Sequence, residues 1–183
     1  MDLNRASRYL SYLLRHHPEA AGITLDAHGW ADVTSLLAGM KKYQITRAQL
    51  EKIVASDAKQ RYAFDATGTK IRANQGHSVA VDVELRESEP PALLWHGSAC
   101  RFAASSPAQG LKPMGRLYVH LSADVKTARA VGSRHGIPIV YEIDCAAMRR
   151  DGFVFFCSHN GVWLTDTVPY RYMKVLEDGH ASV

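Results

Sequence analysis

The stretch VELRESEPPALLW at residues 83–95, rich in charge and proline, divides this chain of 183 residues into two parts with different patterns. Before it, apolar residues recur at spacings of three and four, as in amphipathic helices. After it, short apolar or alternating runs are typical of strands. The pair Pro90-Pro91 favours a linker or lobe boundary. We therefore predict an α+β protein with two lobes, residues 1–88 and 89–183.

The first part predicts helices followed by a β-hairpin. A helix should run from Asn4 to about His17, where Pro18 stops it. Thr46 should open a later helix, because Gln49 lies three residues on in capping-box position. The other expected elements are a short strand in GITL (22–25), a turn at 26–29, a helix from about Asp32 to the KKYQ segment, and a hairpin in RYAFDATGTKIRA (61–73). Helices closed by a hairpin resemble a winged-helix module.

The second part predicts a small mixed or antiparallel β-rich lobe. One helix is expected among its strands, at about Asp124 to Gly132. The strand candidates are ALLWHGS, LYVHLS, IPIVYEID, GFVFFC, GVWLT and YRYMKVL.

Positive charge is concentrated in the first part. Residues 40–80 hold eight Lys or Arg against three acidic residues. Such an excess fits contact with a polyanion such as nucleic acid, although a solvated basic face would have the same composition.

Several motifs are informative because they are absent. No two glycines form a G-x-G pair, so neither a dinucleotide fingerprint nor a Walker-type phosphate loop is available. There is no H-E-x-x-H and no C-x-x-C, and Cys157 with His159 is the nearest metal-like pair, so we predict chemistry without a metal. The three cysteines should be reduced thiols.

Nothing in the sequence indicates a membrane protein. No apolar run approaches the roughly 20 residues that cross a bilayer. The start MDLNRASRYL lacks the basic flank and apolar core of a secretory signal. We expect a cytoplasmic protein.

Arginines and histidines on turns and strand edges are the remaining candidates for chemistry. They lie in LLRHHP (13–18), at Arg61, in IRANQGHS (71–78), in WHGS (95–98) and in GRLYVHLS (115–122). An arginine fork pairs two phosphate oxygens at once, and several together neutralise a phosphate dianion. Taken singly, each residue could equally be a surface charge or a packed histidine.

The order of six separated motifs resembles the RNA 2′-phosphotransferase family, NAD-dependent enzymes of tRNA splicing. The motifs are LLRHHPEAAGITLDAHGWADV, RYAFDATGTKIRANQGHS, LWHGS, GLKPMGRLYVHLS, VGSRHGIPIVYEID and SHNGVWLTDTVP. The resemblance implies a winged-helix-like RNA lobe and an NAD-binding lobe with the ADP-ribosyltransferase fold. It also implies a two-step reaction. The RNA 2′-phosphate displaces nicotinamide from NAD, and the ribose O2″ then takes the phosphate, releasing RNA with a 2′-OH and ADP-ribose 1″,2″-cyclic phosphate.

The resemblance also assigns residues by motif position. The set around the 2′-phosphate falls on Arg15, His16, Arg61 and Arg116. The NAD-binding positions are His96, Gly97, Ser98, His120, Ser122, Arg134 and Asn160. The RNA-binding positions are Arg72, Asn74, Gln75, Gly76, His77 and Ser78.

Three positions depart from the family pattern. Tyr118 stands where the family commonly has histidine, Trp95 where it commonly has tyrosine, and Ser98 where it commonly has threonine. We expect Tyr118 to be tolerated, because the four-residue phosphate set is intact.

Two other functions remain open at this point. One is an ADP-ribosyltransferase that stops after the first step, leaving ADP-ribose on a nucleic-acid phosphate or a small acceptor. The other is a winged-helix RNA-binding protein without turnover. We expect a monomer, with RNA and NAD as partners and NAD consumed as co-substrate.

Overall fold

The computed structural model describes residues 2–101 and 110–176, with only the backbone of His135. These residues divide into two compact units: the described residues up to Leu85 with Gly115–Leu117, and the other described residues from Arg86 onward. Helices and strands occur in both, so the prediction of an α+β protein is confirmed. The predicted lobe boundary after residue 88 stays a prediction. No helix in the described ranges combines the length and apolar character needed to span a bilayer.

Three helices of the first unit bury apolar side chains in one core. Helix α1 (Leu3–Arg15) begins at Asp2, whose carboxylate accepts from the backbone N–H groups of Asn4 and Arg5. Helix α2 (Val33–Gly39) is capped by Asp32, and α3 (Arg47–Ser56) by the predicted capping box of Thr46. The core side chains of these helices include Ala6, Leu10, Leu13, Leu14, Leu36, Leu50 and Ile53.

A small antiparallel sheet completes the first unit. It consists of β1 (Ala31–Asp32), β2 (Tyr62–Phe64) and β3 (Lys70–Ala73), in the order β1-β3-β2. Strands β2 and β3 form the predicted hairpin. The hairpin turn requires Gly68, whose φ of +71° is a conformation that other residues rarely adopt.

The second unit contains two antiparallel sheets. One has the order β10-β7-β5, with β5 at Leu93–Ala99, β7 at Pro138–Asp144 and β10 at Met173–Val175. The other has the order β4-β8-β9-β6, at Arg86–Glu87, Phe156–Cys157, Trp163–Thr165 and Val119–Leu121. A bridge between Trp95 and Ser122 joins them. The strand pairs of both sheets are antiparallel.

Helix α4 (Val125–Gly132) packs against β5 at unusually short range. A Cβ atom on Gly97 would lie 1.7 Å from the carbonyl oxygen of Ala128, and one on Gly132 would lie 2.5 Å from that of Ser98. Both positions therefore need glycine for the helix and strand to approach. Asp124 caps α4 at the predicted position.

The structure corrects four sequence expectations. No strand forms at 22–25, because this segment has no ladder partner and leads into a turn held by Asp26. Helix α1 ends at Arg15 rather than His17, because the N–H groups of His16 and His17 both reach the carbonyl of Tyr12. GFVFFC contributes only Phe156–Cys157.

The fourth correction concerns a strand and a helix that the sequence interpretation missed. Strand β4 lies inside the predicted linker, where it pairs with β8. Helix α5 (Cys145–Arg150) follows β7 directly, because Asp144 accepts from the N–H of Ala147 and starts a helix at the strand end.

Candidate functional site

The guanidinium group of Arg15 is a buried fork of donors. Its Nε and Nη2 atoms are shielded from solvent and have no hydrogen-bond partner among the described residues. Burial lowers the pKa of Arg15 to about 10, and repulsion from Arg116 and Arg61 adds to the effect. A buried, unpaired cation is costly unless a ligand supplies the missing acceptors. The repulsion that Arg116 and Arg61 exert on Arg15 also shows that the three arginines of the predicted phosphate set lie close enough to interact electrostatically.

Gly76 lies directly over the Arg15 side chain. A Cβ on Gly76 would be 3.5 Å from Nη1 and 3.6 Å from Cζ of Arg15, and its φ is +88°. The turn after the hairpin therefore packs its backbone against the guanidinium. The sequence interpretation expected Gly76 to approach RNA, whereas the observed approach is to Arg15.

Arg61 is held by two buried polar side chains. The carboxylate of Asp57 accepts from the backbone N–H of Arg61 at 2.7 Å and from its Nη1 at 2.5 Å. On the other side, Asn74 donates its backbone N–H to the carbonyl of Arg61 at 2.8 Å and its Nδ2 to that of Gln60 at 2.6 Å. The backbone and the side chain of Arg61 are thus both fixed.

His16 follows Arg15 and is oriented by Ser78. Its Nδ1 lies 2.9 Å from Ser78 Oγ, and the N–H of Ser78 donates to the carbonyl of Arg15 at 3.0 Å. Burial lowers the pKa of His16, as do the nearby charges of Arg15 and Arg116. Its imidazole is therefore neutral near pH 7.

His77 lies beneath these groups and is only 2 % exposed. Burial lowers its pKa to about 4, with further repulsion from Arg15, His16 and Arg72. Its carbonyl accepts from the N–H of Leu117 at 3.1 Å, which ties the segment carrying Arg116 to this turn. His77 is therefore a neutral, buried support, and its side chain lies within the fold.

The charges of this cluster suit a phosphate monoester. Arg15, Arg61 and Arg116 contribute three positive charges, and Asp57 contributes one negative charge. The surplus of two positive charges matches a phosphate that carries between one and a half and two negative charges at pH 7. Such an arrangement is suited to binding and orienting an anion. No group of three or more His, Cys, Asp or Glu side chains suited to a metal occurs in the described ranges.

Arg72, predicted to bind RNA, is engaged inside the first unit. Its guanidinium stacks 4.4 Å from the Trp30 ring centroid, and Nη1 donates to Glu84 at 3.0 Å. Asn74 and His77 are buried as described above, and Ser78 orients His16. Gln75 lies between them in the same turn and has contacts of its own. Their assignment to RNA binding stays a prediction.

The residues predicted for NAD gather in the second unit on β5 and β6. His96 Nδ1 donates to the carbonyl of His120 at 3.0 Å, and His120 Nδ1 donates to that of Tyr118 at 3.0 Å. A carbonyl can only accept, so Nδ1 carries the hydrogen in both rings, and Nε2 carries the lone pair when the ring is neutral. Ser122 is joined to Trp95 by two backbone hydrogen bonds.

The other predicted NAD residues lie within β5 and in two turns of the second unit. Gly97 and Ser98 belong to β5, where Gly97 is required for packing against α4. Arg134 is exposed in the turn Ser133–His135 that follows α4. Asn160 lies in the turn before β9, at the sheet end where Leu121 pairs with Trp163. Its Oδ1 accepts from the buried Ser158 hydroxyl at 2.8 Å.

Tyr118, which departs from the family pattern, packs its ring 5.6 Å from that of Phe156. Its carbonyl holds His120, a backbone role that any residue at this position can perform.

Of the three cysteines, which are all free, only Cys145 is buried, and burial raises its pKa to about 12.

Two polar groups of these sites were missed from the sequence. Asp57 holds Arg61, and its position four residues earlier, at the end of α3, was the available signal. The indole N–H of Trp95 is buried without a hydrogen-bond partner among the described residues. The sequence interpretation noted Trp95 as a departure from the family pattern but gave its indole N–H no role.

The chain is similar to one protein family over most of its length. A family model described as RNA 2′-phosphotransferase, Tpt1 / KptA family, matches residues 2–167. A probable RNA 2′-phosphotransferase of Burkholderia lata is 49% identical over 180 residues, covering 96% of this chain and 92% of that protein. A protein of the same description from Nostoc punctiforme is 49% identical over 174 residues, covering 94% and 96%. One from Hahella chejuensis is 48% identical over 177 residues.

Proposed function

This chain belongs to the RNA 2′-phosphotransferase family and is an enzyme that transfers a 2′-phosphate of RNA. From that premise we propose that it consumes NAD as a co-substrate. The reaction we propose has two steps. It converts an internal RNA 2′-phosphate and NAD into RNA with a 2′-OH, nicotinamide and ADP-ribose 1″,2″-cyclic phosphate.

The observation that carries the proposal is the buried guanidinium of Arg15, whose Nε and Nη2 lack acceptors beside two further arginines. Two oxygens of one phosphate would satisfy this fork. Arg61 and Arg116 would share the remaining charge, and His16 would add a donor or acceptor at the same phosphate. This assignment rests on the charge match and on the fixed orientation of Arg61.

In the first step, a phosphate oxygen forms a bond to C1″ of the nicotinamide ribose. The bond from C1″ to the nicotinamide nitrogen breaks, and its electron pair leaves with nicotinamide. Both reactants are substrates, so the chain needs only to orient them and to stabilise charge. Arginine keeps the phosphate fixed without becoming a nucleophile itself.

In the second step, ribose O2″ bonds to phosphorus and the bond to the RNA 2′-oxygen breaks. The proton of O2″ ends on that oxygen. We assign its transfer to His16, because burial and, to a lesser degree, the neighbouring cations lower the pKa of this imidazole and favour its neutral form, and Ser78 fixes its ring. The same arginines stabilise the added charge on phosphorus.

NAD supplies the electrophilic C1″ carbon and a leaving group. The second unit offers polar groups that fit such a dinucleotide without a glycine-rich phosphate loop. The buried Trp95 N–H has no acceptor among the described residues, and the His96 and His120 rings have fixed orientations. An amide or phosphate oxygen suits the indole N–H. In this proposal the first unit is the winged-helix-like RNA lobe and the second the ADP-ribosyltransferase-like lobe.

The test uses a short RNA with one internal 2′-phosphate, incubated with and without NAD and resolved by mass. We expect NAD-dependent loss of the phosphate together with ADP-ribose cyclic phosphate. An RNA that accumulates as its ADP-ribosylated adduct would indicate a one-step transferase. An unchanged RNA would indicate a binding protein.

Arginine variants connect this activity to the site. Arg61→Ala and Arg116→Ala should fold and lose turnover, at a cost on the order of 3 kcal/mol or more in transition-state stabilisation. Arg47→Ala is the matched control, because Arg47 lies in the same unit but pairs with Glu51 and stacks on Phe64. Near-normal activity in either site variant would remove that arginine from the site.

A further inference from the structure

The carboxylate of Asp57 is a buried anion in a site that must bind an anion. Its side chain is only 7 % exposed, and it lies close enough to Arg15 to interact electrostatically. A negative charge here repels the incoming phosphate, so its presence requires a compensating benefit. The RNA 2′-phosphotransferase reaction gives Asp57 no evident direct part, because neither step needs a second anion.

The hydrogen bonds of Asp57 show what it does. It accepts from the backbone N–H groups of Lys59 and Arg61 at 3.3 and 2.7 Å, and from Arg61 Nη1. One carboxylate therefore shapes the turn after α3 and holds the guanidinium that this turn carries. Gln60, between them, has a φ of +44°, a conformation that a side-chain-bearing residue adopts only when its surroundings impose it.

Asn74 closes the arrangement from the neighbouring strand end. It is buried, and its two hydrogen bonds occupy the carbonyls of Gln60 and Arg61. A flexible arginine side chain loses conformational entropy when it binds phosphate, because rotation about several of its bonds is restricted. A side chain that is already held in place loses less. Orientation before binding is what a site that works by positioning needs.

We propose that Asp57 is a positioning residue that acts on the reaction through Arg61, with Asn74 as its backbone support. The inference rests on the proposed function of Arg61 at the 2′-phosphate. Asp57 itself does not touch the substrate. Its contribution is to fix the direction of the Arg61 guanidinium. The repulsion between the Asp57 carboxylate and the phosphate is smaller than the attraction between the phosphate and the three arginines.

The test is a double-mutant cycle on kcat. Asp57→Asn can keep the oxygen that accepts from the backbone N–H of Arg61, and it replaces the oxygen that accepts from Arg61 Nη1 and from the N–H of Lys59 by an uncharged NH2 group. We expect kcat to fall about tenfold or more in the otherwise unchanged protein and by less than about twofold in an Arg61→Lys background. Equal falls in both backgrounds would show that Asp57 does not act through Arg61, and an unchanged kcat would show that it does not act at all.

Asp65→Asn is the matched control for turn stability. Asp65 accepts from the N–H of Lys70 and from the Thr67 hydroxyl in the same unit, and these two partners are not arginines. We expect this variant to lower the urea unfolding midpoint without changing kcat. If Asp57→Asn does not fold, Asp57→Glu is measured in the same two backgrounds, where equal falls in kcat again overturn the proposal.

A readout independent of turnover separates this inference from the proposed function. The Nη hydrogens of Arg61, observed by NMR without RNA or NAD, should rotate slowly in the unchanged protein and fast in Asp57→Asn. Equal rotation in both proteins overturns the positioning role, even if the RNA reaction occurs. Slowed rotation in a protein that does not dephosphorylate RNA leaves the positioning of Arg61 intact and refutes the proposed function.

Discussion

Replacing Arg15 by methionine should stabilise the protein and abolish its turnover. Two nitrogens of the Arg15 guanidinium are buried without partners among the described residues, and burial together with the neighbouring arginines lowers its pKa from 12.5 to about 10. At about 1.36 kcal/mol per unit, that drop corresponds to roughly 3 kcal/mol of unfavourable free energy in the folded state at neutral pH. Methionine keeps an unbranched stem and a good helix propensity while it removes the charge.

Two smaller effects reduce the gain. A cation in the last turn of α1 interacts favourably with the helix dipole, by about 0.3–1 kcal/mol. Some of the aliphatic packing of arginine is also lost. We therefore expect the free energy of unfolding to rise by about 1–2 kcal/mol. Turnover should fall by a factor of about 100 or more, because two charge-assisted hydrogen bonds to phosphate are removed.

The assay is urea unfolding at pH 7.5, with the slope m checked for equality between variants. Arg47→Met is the control, because Arg47 is an exposed arginine paired with Glu51, and its loss should change stability by no more than about 0.5 kcal/mol. A destabilisation of Arg15→Met by more than about 1 kcal/mol would refute the reasoning, since it would mean that the guanidinium is well satisfied in the folded protein. Stability gained with full turnover would refute the role of Arg15 at the phosphate.

Two further predictions concern buried groups of the two units. The pKa of His77 is lowered to about 4, so the unfolded chain binds an extra proton between pH 6.5 and 4, and stability should fall by up to roughly 3 kcal/mol across this window as pH falls. His77→Gln should flatten that part of the stability profile measured by urea unfolding, and an unchanged slope would contradict the lowered pKa. Gly97→Ala should destabilise the protein by about 3 kcal/mol or more, because the new Cβ would overlap the carbonyl of Ala128. Gly161→Ala, at a positive φ but with open space, should cost only about 1 kcal/mol, so similar thermal midpoints for the two variants would contradict the proposed clash.

Local chemistry made the best-predicted elements predictable. The capping box of Thr46, the cap of α4 at Asp124 and the hairpin around Gly68 each depend on residues within a few positions of one another. Strand β4 could not be recognised in the same way. Its two residues are polar and exposed, and they become a strand only because β8 lies alongside.

The candidate site, like the fold, was predictable from the sequence only in part. Arg15, His16, Arg61 and Arg116 could be named from motif order, but the pattern did not reveal which polar neighbours are internal supports. Predictions for the turn after the hairpin illustrate the problem. Polar residues near a phosphate site suggest RNA contacts, whereas Asn74 is buried and committed to backbone carbonyls. Burial and hydrogen-bond direction depend on packing of distant segments, and a single sequence does not encode them in any local pattern.

The assignment of Gly115–Leu117 to the first unit has a consequence for the modularity of the enzyme. The segment carrying Arg116 belongs by contacts to the first unit, although the chain on either side of it belongs to the second. A gene truncated after Leu85 would therefore encode Arg15, His16 and Arg61 without the fourth residue of their set. Exchange of the continuous segment up to Leu85 between relatives would likewise leave Arg116 to come from a different parent.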